Sequence, residues 1–459
     1  MTAFQAGAAA VCITPQVGIA LAGYSGRQGG SVGIHDDLYG KALVFDDGHT
    51  ASAIITLDLI GLDDASIAQV RALVAAQTPI PAAHVLVAAS HTHSGPMPAV
   101  AENPYQRFAS YSWTPDADWT QTLLKLLAGA VVAAWHNRRP AKLALGEGEL
   151  EGLAYNRRRY GEGGMPVDPA VAVMLLIDMQ DQPFAVLYNY ACHPVTLREN
   201  NVLISADYPG VASRLIQETF PGVVALFLNG CCGDLDPLHR FWGSYEGSRQ
   251  AGLMLGGEVV QTVARLCAEH DFVLDPGLYA LARRIVVPTM PIPSRVAAAE
   301  LVQEMEVFLA ELRKRESSSG GLLFPKGEPW HSMIPERHPT VGLAEFYLHW
   351  AQQLQSLADA ETVPAPLTAE VQVLGIGLAA LFGLPGEIFV DLGLQIKARL
   401  AGHRVFVASY ANGNVGYVPT RSAFDEGGYE VKVAQRARLI PLSPGAGELM
   451  VEGALALLS

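Results

Sequence analysis

Basic residues are scarce in this chain. It has 31 Lys and Arg against 45 Asp and Glu, a formal net charge of -14, and only 17% of its residues are charged. The densest basic group is the short run Arg157-Arg158-Arg159. A nucleic-acid-binding surface must concentrate positive charge against the phosphates, so this composition argues against nucleic acid as a partner.

Cysteine is also rare, and long apolar runs are absent. The five cysteines form no CxxC pair, and their odd number leaves one unpaired in any disulfide scheme. Reduced thiols and a cytoplasmic location are therefore expected. No window holds about 18 uncharged apolar residues, so no transmembrane segment is predicted. The first ten residues lack the basic start and apolar stretch of a signal peptide.

Hydrophobic residues, by contrast, make up half of the chain, enough for a large buried core. Apolar runs typical of buried strands alternate with segments of helical period, which predicts an α/β fold of mixed β-sheets flanked by helices. The predicted strands are 41–45, 52–59, 85–89, 171–177, 184–190, 223–228, 370–376, 378–381 and 404–409. The predicted helices are 65–76, 119–135, 210–217, 247–267, 295–315, 341–358 and 387–400. A flexible loop is expected at about 316–340, where small polar residues precede a stretch rich in Pro, His and Trp.

The first segment that could carry chemistry follows the predicted strand 85–89, which leads into His91-Thr92-His93 and a Gly-Pro turn. Side chains alternate along a strand, so both imidazoles are expected on the same side. Paired histidines are common zinc ligands, whereas two hydrogen-bonded structural histidines are the alternative interpretation. The motif therefore suggests one part of a metal site.

Two further strand ends carry polar residues. The strand 184–190 leads into His193-Pro194, and a catalytic zinc needs three or more donors from separate segments. The strand 223–228 leads into a turn with two glycines, Cys231, Cys232, Asp234 and Asp236. Neither thiol has an identifiable activating partner, so inert buried cysteines are favoured over a cysteine nucleophile. Asp234 is predicted either to orient a ligand imidazole or to cap its own turn.

The C-terminal part holds two more candidate segments. Leu384-Pro385-Gly386-Glu387 is predicted to open a helix, which would place Glu387 in the first turn, where the helix dipole stabilises a carboxylate. The strand 404–409 leads towards Tyr417 and Tyr429, which by themselves are typical of half-buried core aromatics.

Taken together and in this order, the segments resemble the catalytic domain of the neutral/alkaline (non-lysosomal) ceramidases. The pattern is His-Thr-His-Ser-Gly-Pro, Asn-Arg, His-Pro-Val, Gly-Asp-x-x-Pro, Pro-Gly-Glu and Asn-x-x-x-x-Tyr-Val, and it covers essentially residues 5 to 435. The opening Ala22-Gly23-Tyr24 is similar to the family's "MGY" turn. We expect residues 1–459 to form one catalytic domain, without the extra C-terminal β-sandwich domain of secreted members.

The resemblance implies the identity of the site residues. The family's zinc ligands correspond to four positions of this chain: His91, His193, Glu387 and Tyr417. His93, Arg157 and Tyr429 match positions that line the family's reaction centre. One departure concerns Asp236, which stands where the family has a serine once proposed as nucleophile. A serine acyl-enzyme is therefore not expected in this chain.

The implied function is zinc-dependent hydrolysis of the amide bond of an N-acyl substrate, with ceramide the leading candidate and a Zn²⁺-bound water as nucleophile. His93 is expected to transfer protons, and Arg157 or Tyr429 to brace the oxyanion. Two alternatives remain: a zinc amidase or esterase acting on a non-lipid small molecule, and a non-catalytic lipid-binding protein.

Five apolar residues of the predicted loop could cover an acyl tail or pack on the protein's own surface: Leu322, Leu323, Phe324, Trp330 and Met333.

Overall fold

The computed structural model describes residues 4–24, 27, 29–98, 116–159, 165–317, 341–360 and 364–459. Its strands are β1 Gln5–Cys12, β2 Gly33–Ile34, β3 Tyr39–Asp46, β4 Ala51–Leu57, β5 Val85–Ala89, β6 Arg139–Glu149, β7 Ala154–Asn156, β8 Ala170–Asp178, β9 Pro183–Tyr190, β10 Leu203–Ile204, β11 Val224–Asn229, β12 Leu235–Pro237, β13 Leu278–Val286, β14 Thr368–Ile376, β15 Ala379–Gly383, β16 Glu387–Ile388, β17 Arg404–Ala408 and β18 Tyr417–Val418. Its α-helices are α1 Asp64–Ala75, α2 Ala117–His136, α3 Asp207–Thr219, α4 Tyr245–Glu269, α5 Arg295–Ser317, α6 Val341–Asp359, α7 Val390–Arg399, α8 Arg421–Glu426 and α9 Ala446–Leu455. The predicted mixed α/β class is confirmed.

The larger sheet has eight strands in the order β11-β9-β8-β6-β1-β3-β4-β5. Its inner pairs are antiparallel, and the two edge pairs, β11 with β9 and β4 with β5, are parallel. Although β5 and β11 are opposite edges, Asn229 at the end of β11 donates a hydrogen bond of 2.9 Å to the carbonyl of Ser90, just after β5. The sheet therefore curls until its two edges meet, and the ends of β5, β9 and β11 come together.

Alternating residues of the large sheet build two different cores. In β8, Val171, Val173 and Leu175 pack with the apolar faces of α3 and α4. The intervening residues Met174 and Leu176 face the second sheet. This period of two is what a strand covered on both faces requires, and it gives the continuous apolar run seen in the sequence.

A second sheet, in the order β13-β14-β15-β17, packs against the inner face of the first. Leu374, Leu381 and Phe406 join the core between the two sheets. The opposite face of the second sheet is covered by α7 and α9, through residues such as Leu392 and Met450. The second sheet thus carries β17 and the segment that follows it towards the edges of the large sheet.

Helices α5 and α6 pack on each other around a small apolar cluster that includes Tyr347 and Trp350. The predicted flexible loop at about 316–340 lies outside the described residues from 318 onwards, and so do its five apolar residues named above. No helix among the described residues is long and apolar enough to cross a membrane.

One helix boundary was predicted wrongly. Glu387 does not lie in the first turn of a helix, because α7 begins only at Val390. It lies in β16, which pairs in parallel with β18 so that Glu387 stands opposite Tyr417. Backbone hydrogen bonds from Glu387 to Gly416 and from Phe389 to Val418 hold this pair together. The apolar residues after Glu387 continue the helical period in the sequence, and only this pairing keeps them extended.

We expect Asn189→Leu to lower the free energy of unfolding by about 2–4 kcal/mol. The buried Asn189 amide joins three strands: it donates to Leu228 O at 2.9 Å and to Val407 O at 3.1 Å, and accepts from Val407 N at 3.1 Å. Leucine would leave those backbone groups unpaired in the core. Chemical denaturation checks this, with Gln352→Leu on the exposed surface of α6 as the control. Equal stability of the two variants would contradict the role of Asn189.

Candidate metal centre

Three histidines from two strand ends converge beneath the protein surface. His91 and His93 follow β5, and His193 follows β9. Their donor nitrogens all lie within 4.8 Å of one another. The rings of His91 and His193 are buried and meet edge to face, with centroids 5.0 Å apart. The curling of the large sheet thus brings together the segments that the sequence had singled out separately.

The reason that His91 and His93 lie together differs from the one predicted. The strand ends at Ala89, so strand alternation does not place them. His91 instead has a φ of 68°, a left-handed conformation that is uncommon for a residue other than glycine. Backbone bonds of 2.8 Å from His91 N to Leu59 O and from Ser90 N to Leu57 O hold the turn in place. Backbone strain of this kind is often found at functional sites.

Backbone carbonyls fix the tautomers of two of the histidines. Nδ1 of His91 lies 2.7 Å from the carbonyl oxygen of Ile60. Nδ1 of His193 lies 2.6 Å from that of Cys232 and 3.0 Å from that of Leu235. A carbonyl only accepts, so each Nδ1 carries the hydrogen, and in its neutral form each ring leaves a bare lone pair on Nε2. This is the usual arrangement of metal-ligating histidines.

Both Nε2 atoms face the same carboxylate oxygen. Oε2 of Glu387 lies 3.5 Å from Nε2 of His91 and 3.3 Å from Nε2 of His193. Burial opposes ionisation of Glu387, but the two imidazoles outweigh it and hold its pKa well below its usual range. Burial lowers the pKa of His91, which favours the neutral form that binds metals. Ligands of a tetrahedral zinc lie about 3.4 Å apart, since each is about 2.1 Å from the ion, so these three donors fit a metal.

His93 and Tyr24 present buried polar atoms that have no hydrogen-bond partner among the described residues. Both ring nitrogens of His93 and the hydroxyl of Tyr24 are buried and accept or donate no hydrogen bond among the described residues. Burial, together with the neighbouring imidazoles, lowers the pKa of His93 well below its usual value. The two rings meet edge to face at 5.0 Å. Because unpaired buried polar atoms are costly, these groups are suited to contact a bound ion, water or substrate.

Sequence reasoning gave Tyr24 no role, although its turn was part of the family pattern. Gly23, with a φ of 96°, explains why that turn needs glycine. A Cβ on Gly23 would lie 2.4 Å from the His93 ring, so a side chain there would displace the imidazole. The turn therefore brings the backbone against His93 and places Tyr24 beside it.

Arg157 is engaged by four protein acceptors. Its Nε donates to Glu430 at 2.8 Å, and its Nη1 donates to Asp236 at 3.0 Å. Its Nη2 donates to the carbonyl of Gly233 at 2.8 Å and to the hydroxyl of Tyr417 at 3.1 Å. A guanidinium with these partners is better suited to position Tyr417 than to bind a substrate oxygen.

The partners of Arg157 include a residue that sequence reasoning missed. Glu430 is almost fully buried and also accepts from Arg158 Nη1 at 2.9 Å. Its neighbour Tyr429 meets Tyr417 edge to face at 5.9 Å. The Arg157-Arg158-Arg159 run and the Gly-Tyr-Glu segment were both visible in the sequence, but only the fold shows that they pair.

Asp234 acts on the turn rather than on an imidazole. Its Oδ1 accepts from the backbone of Val390 at 2.8 Å, at the start of α7. Its Oδ2 accepts from Asn156 at 2.8 Å. Burial raises the pKa of Asp234 to about 6. Asp234 therefore ties the glycine-rich turn to α7, and the carbonyls of that same turn orient His193.

Comparisons with known proteins show which proteins this chain is similar to. The family model described as "Neutral/alkaline non-lysosomal ceramidase, N-terminal" matches residues 4–240. The neutral ceramidase of Pseudomonas aeruginosa is 24% identical over 90% of this chain and 66% of its own length. Neutral ceramidase B of Dictyostelium discoideum is 27% identical over 52% of this chain and 36% of its own length. The chain thus spans less than two thirds of the length of these relatives.

Solved structures share the fold. The crystal structure of neutral ceramidase from Pseudomonas aeruginosa superposes with a TM-score of 0.70 at 21% identity, over 99% of this chain and 74% of that one. A structure described as "Ceramidase complexed with C2" gives a TM-score of 0.72 at 19% identity, over 99% and 74% of the two chains.

We expect His91→Ala and His193→Ala each to weaken metal binding by more than about 100-fold, because each removes a nitrogen donor aimed at the shared centre. Metal content after dialysis at a fixed free-metal concentration measures this. His84→Ala is the control. His84 lies just before β5, and its ring contacts the carbonyl of Ala51 instead of the three-histidine cluster. Full metal occupancy in either ligand variant would refute the assignment.

The buried thiols should resist alkylation in the folded protein. Burial raises the pKa of Cys231 to about 12, and both Cys231 and Cys232 are buried, whereas Cys12 is exposed. We expect iodoacetamide to label Cys12 rapidly and to leave Cys231 and Cys232 unlabelled until denaturant is added, as read by mass spectrometry. Rapid labelling of either buried thiol would revive the cysteine-nucleophile alternative.

Proposed function

The chain belongs to the neutral/alkaline non-lysosomal ceramidase family, and from that premise we propose that it is a zinc-dependent amide hydrolase. Its proposed substrate is an amide of a fatty acid with a small polar amine, ceramide being the leading case. The observation that carries the proposal is the convergence of the Nε2 atoms of His91 and His193 on the carboxylate of Glu387.

Zinc is the proposed metal, held by His91, His193, Glu387 and Tyr417. A set of two imidazole nitrogens, one carboxylate oxygen and one phenol oxygen suits zinc. The pairing of Glu387 with Tyr417 in neighbouring strands supports a shared role. When bound, zinc supplies a Lewis acid that activates water near neutral pH and polarises the amide carbonyl.

His93 is the proposed proton-transfer group. Its ring nitrogens are unpartnered among the described residues, so they are available to take a proton from the attacking water and deliver it to the leaving amine. The ring lies 4.9 Å from that of His91, centroid to centroid, which keeps it beside the metal centre. Tyr24, whose hydroxyl is also buried and unpartnered there, is a second candidate to contact the substrate.

For the oxyanion, the hydrogen bonds that Arg157 already makes leave Tyr429 as the preferred candidate. The hydrogen bonds of Arg157 to Glu430, Asp236, Gly233 and Tyr417 commit its guanidinium to the protein. We therefore assign the brace to Tyr429, with Arg157 holding Tyr417 in place. Asp236, paired with Arg157, serves as an anchor for that guanidinium in this scheme and not as a nucleophile.

The proposed site draws on residues from His91 to Tyr429, which supports one catalytic unit over 1–459. The five cysteines, none of which is paired in a disulfide, support the proposed cytoplasmic location. Two alternatives remain open to experiment: a zinc amidase or esterase for non-lipid small molecules, and a non-catalytic lipid-binding protein. A cluster of buried ionisable side chains with perturbed pKa values favours an enzyme over the second alternative.

We expect kcat/KM to rise from N-acetyl to N-octanoyl to N-palmitoyl sphingosine, by at least about tenfold over the series. The reason is that each buried CH₂ contributes about 0.8 kcal/mol to the free energy of binding. Chelation of the metal, or His91→Ala, should abolish turnover of all three substrates. A kcat/KM that does not change with acyl length, with turnover that still depends on the metal, would support a small-molecule amidase. Chain-length-dependent binding without turnover would leave a lipid-binding protein.

A further inference from the structure

Tyr410 lies against the metal centre, although no motif pointed to it. It follows β17, and its backbone N–H donates to Gly386 O at 3.0 Å while its carbonyl accepts from Ala89 N at 3.2 Å. Its φ of 54° is left-handed, which is rare for an aromatic residue. The main chain of Tyr410 is thus held between the turn before Glu387 and the strand before His91, and its side chain is buried.

The ring of Tyr410 stacks on the imidazole of His91. The two centroids are 3.8 Å apart and the planes differ by only 15°. The hydrogen bond of His91 Nδ1 to Ile60 fixes one edge of that imidazole, and the stacked phenol covers one of its faces. Together they restrict both the rotation and the tilt of a proposed ligand.

The hydroxyl of Tyr410 faces the second histidine. Its oxygen lies 3.4 Å from Nε2 of His193 and 3.3 Å from Sγ of Cys232. Because Nδ1 of His193 donates to carbonyls, its Nε2 carries the lone pair that would bind the metal. The phenolic oxygen therefore stands close to the space where the ion would lie.

The distances match those between ligands of one ion. Glu387 Oε2 lies 3.3 Å and 3.5 Å from the two Nε2 atoms, and Tyr410 Oη lies 3.4 Å from one of them. Donors about 2.1 Å from one metal ion are separated by about 3.0–3.6 Å at the angles of a five-coordinate site. We propose that Tyr410 is a further member of the metal centre, with its ring positioning His91 and its phenolic oxygen acting as a donor to the metal. This rests on the metal centre of the proposed function.

Tyr410→Phe tests the hydroxyl and keeps the stacked ring. We expect the zinc Kd, measured by competition with a chromogenic chelator, to rise about 10- to 100-fold, and the visible spectrum of the Co²⁺-loaded protein to change. Tyr188→Phe is the matched control: it removes another buried phenol hydroxyl, 2.9 Å from Ser213, and should bind zinc as the wild type does. A zinc Kd within about twofold of wild type, with an unaltered Co²⁺ spectrum, would overturn the proposal.

If Tyr410→Phe does not fold, the donor role of Tyr410 is tested in the Tyr417→Phe variant instead. Its Cu²⁺-loaded form should keep a phenol-to-copper charge-transfer absorption, contributed by Tyr410, and disappearance of that band would overturn the donor role. These readouts need no turnover. Zinc binding that depends on Tyr410 in a chain that cleaves no N-acyl amide would defeat only the hydrolase function. An active hydrolase indifferent to Tyr410→Phe would defeat only this inference, and a wild type that binds no metal would contradict both.

Discussion

The hydrogen bonds from imidazole Nδ1 to backbone carbonyls are the constraint on which the centre depends. Ile60 holds His91, and Cys232 and Leu235 hold His193, so that both rings turn their bare Nε2 atoms inward. Carbonyls are acceptors at every pH, so the orientation of the rings does not depend on the ionisation of a neighbouring acid. The two imidazoles hold the pKa of Glu387 well below its usual range, so Glu387 can remain an anion in a place where an isolated buried charge would be costly.

The architecture supplies these carbonyls from elements that are far apart in the chain. The large sheet curls until β5 and β11 meet, and Asn229 locks the two edges through the carbonyl of Ser90. The second sheet delivers β17 and the β16–β18 pair to the same end, where Glu387 lies opposite Tyr417. Left-handed conformations at His91, Tyr410 and Asn412 make the final turns. Such conformations persist only where the surrounding hydrogen bonds determine them strongly.

Around the centre, a second layer of charged groups holds the hydroxyl of Tyr417 in place. Asp236 and Glu430 both bind the guanidinium of Arg157, which in turn donates to the hydroxyl of Tyr417. A buried cation shared between two carboxylates is well satisfied in a medium of low dielectric constant. Asp236 therefore gives Arg157 an anionic anchor close to the hydroxyl of Tyr417.

The sequence by itself determined the mixed α/β class and most strand and helix positions, because apolar periodicity survives without knowledge of contacts. Through the resemblance to the ceramidase family, an ordered pattern of short motifs also predicted a shared role for His91, His193, Glu387 and Tyr417. The physical argument from the sequence for the His91–His93 pair was wrong, since a left-handed turn, not strand alternation, places them.

Only the tertiary structure decided which groups face the centre and which support it. In the structure, Glu387 lies in a strand opposite Tyr417 and not at the start of a helix. The sequence does not reveal this pairing, because it is made by backbone atoms that are alike in every residue. The fold turned Arg157 towards Glu430 and Tyr417, and it brought Tyr24 to His93 and Tyr410 to His91. Side-chain identity sets the chemistry available to each position. Convergence and burial, by contrast, depend on contacts between segments hundreds of residues apart, which no local pattern encodes.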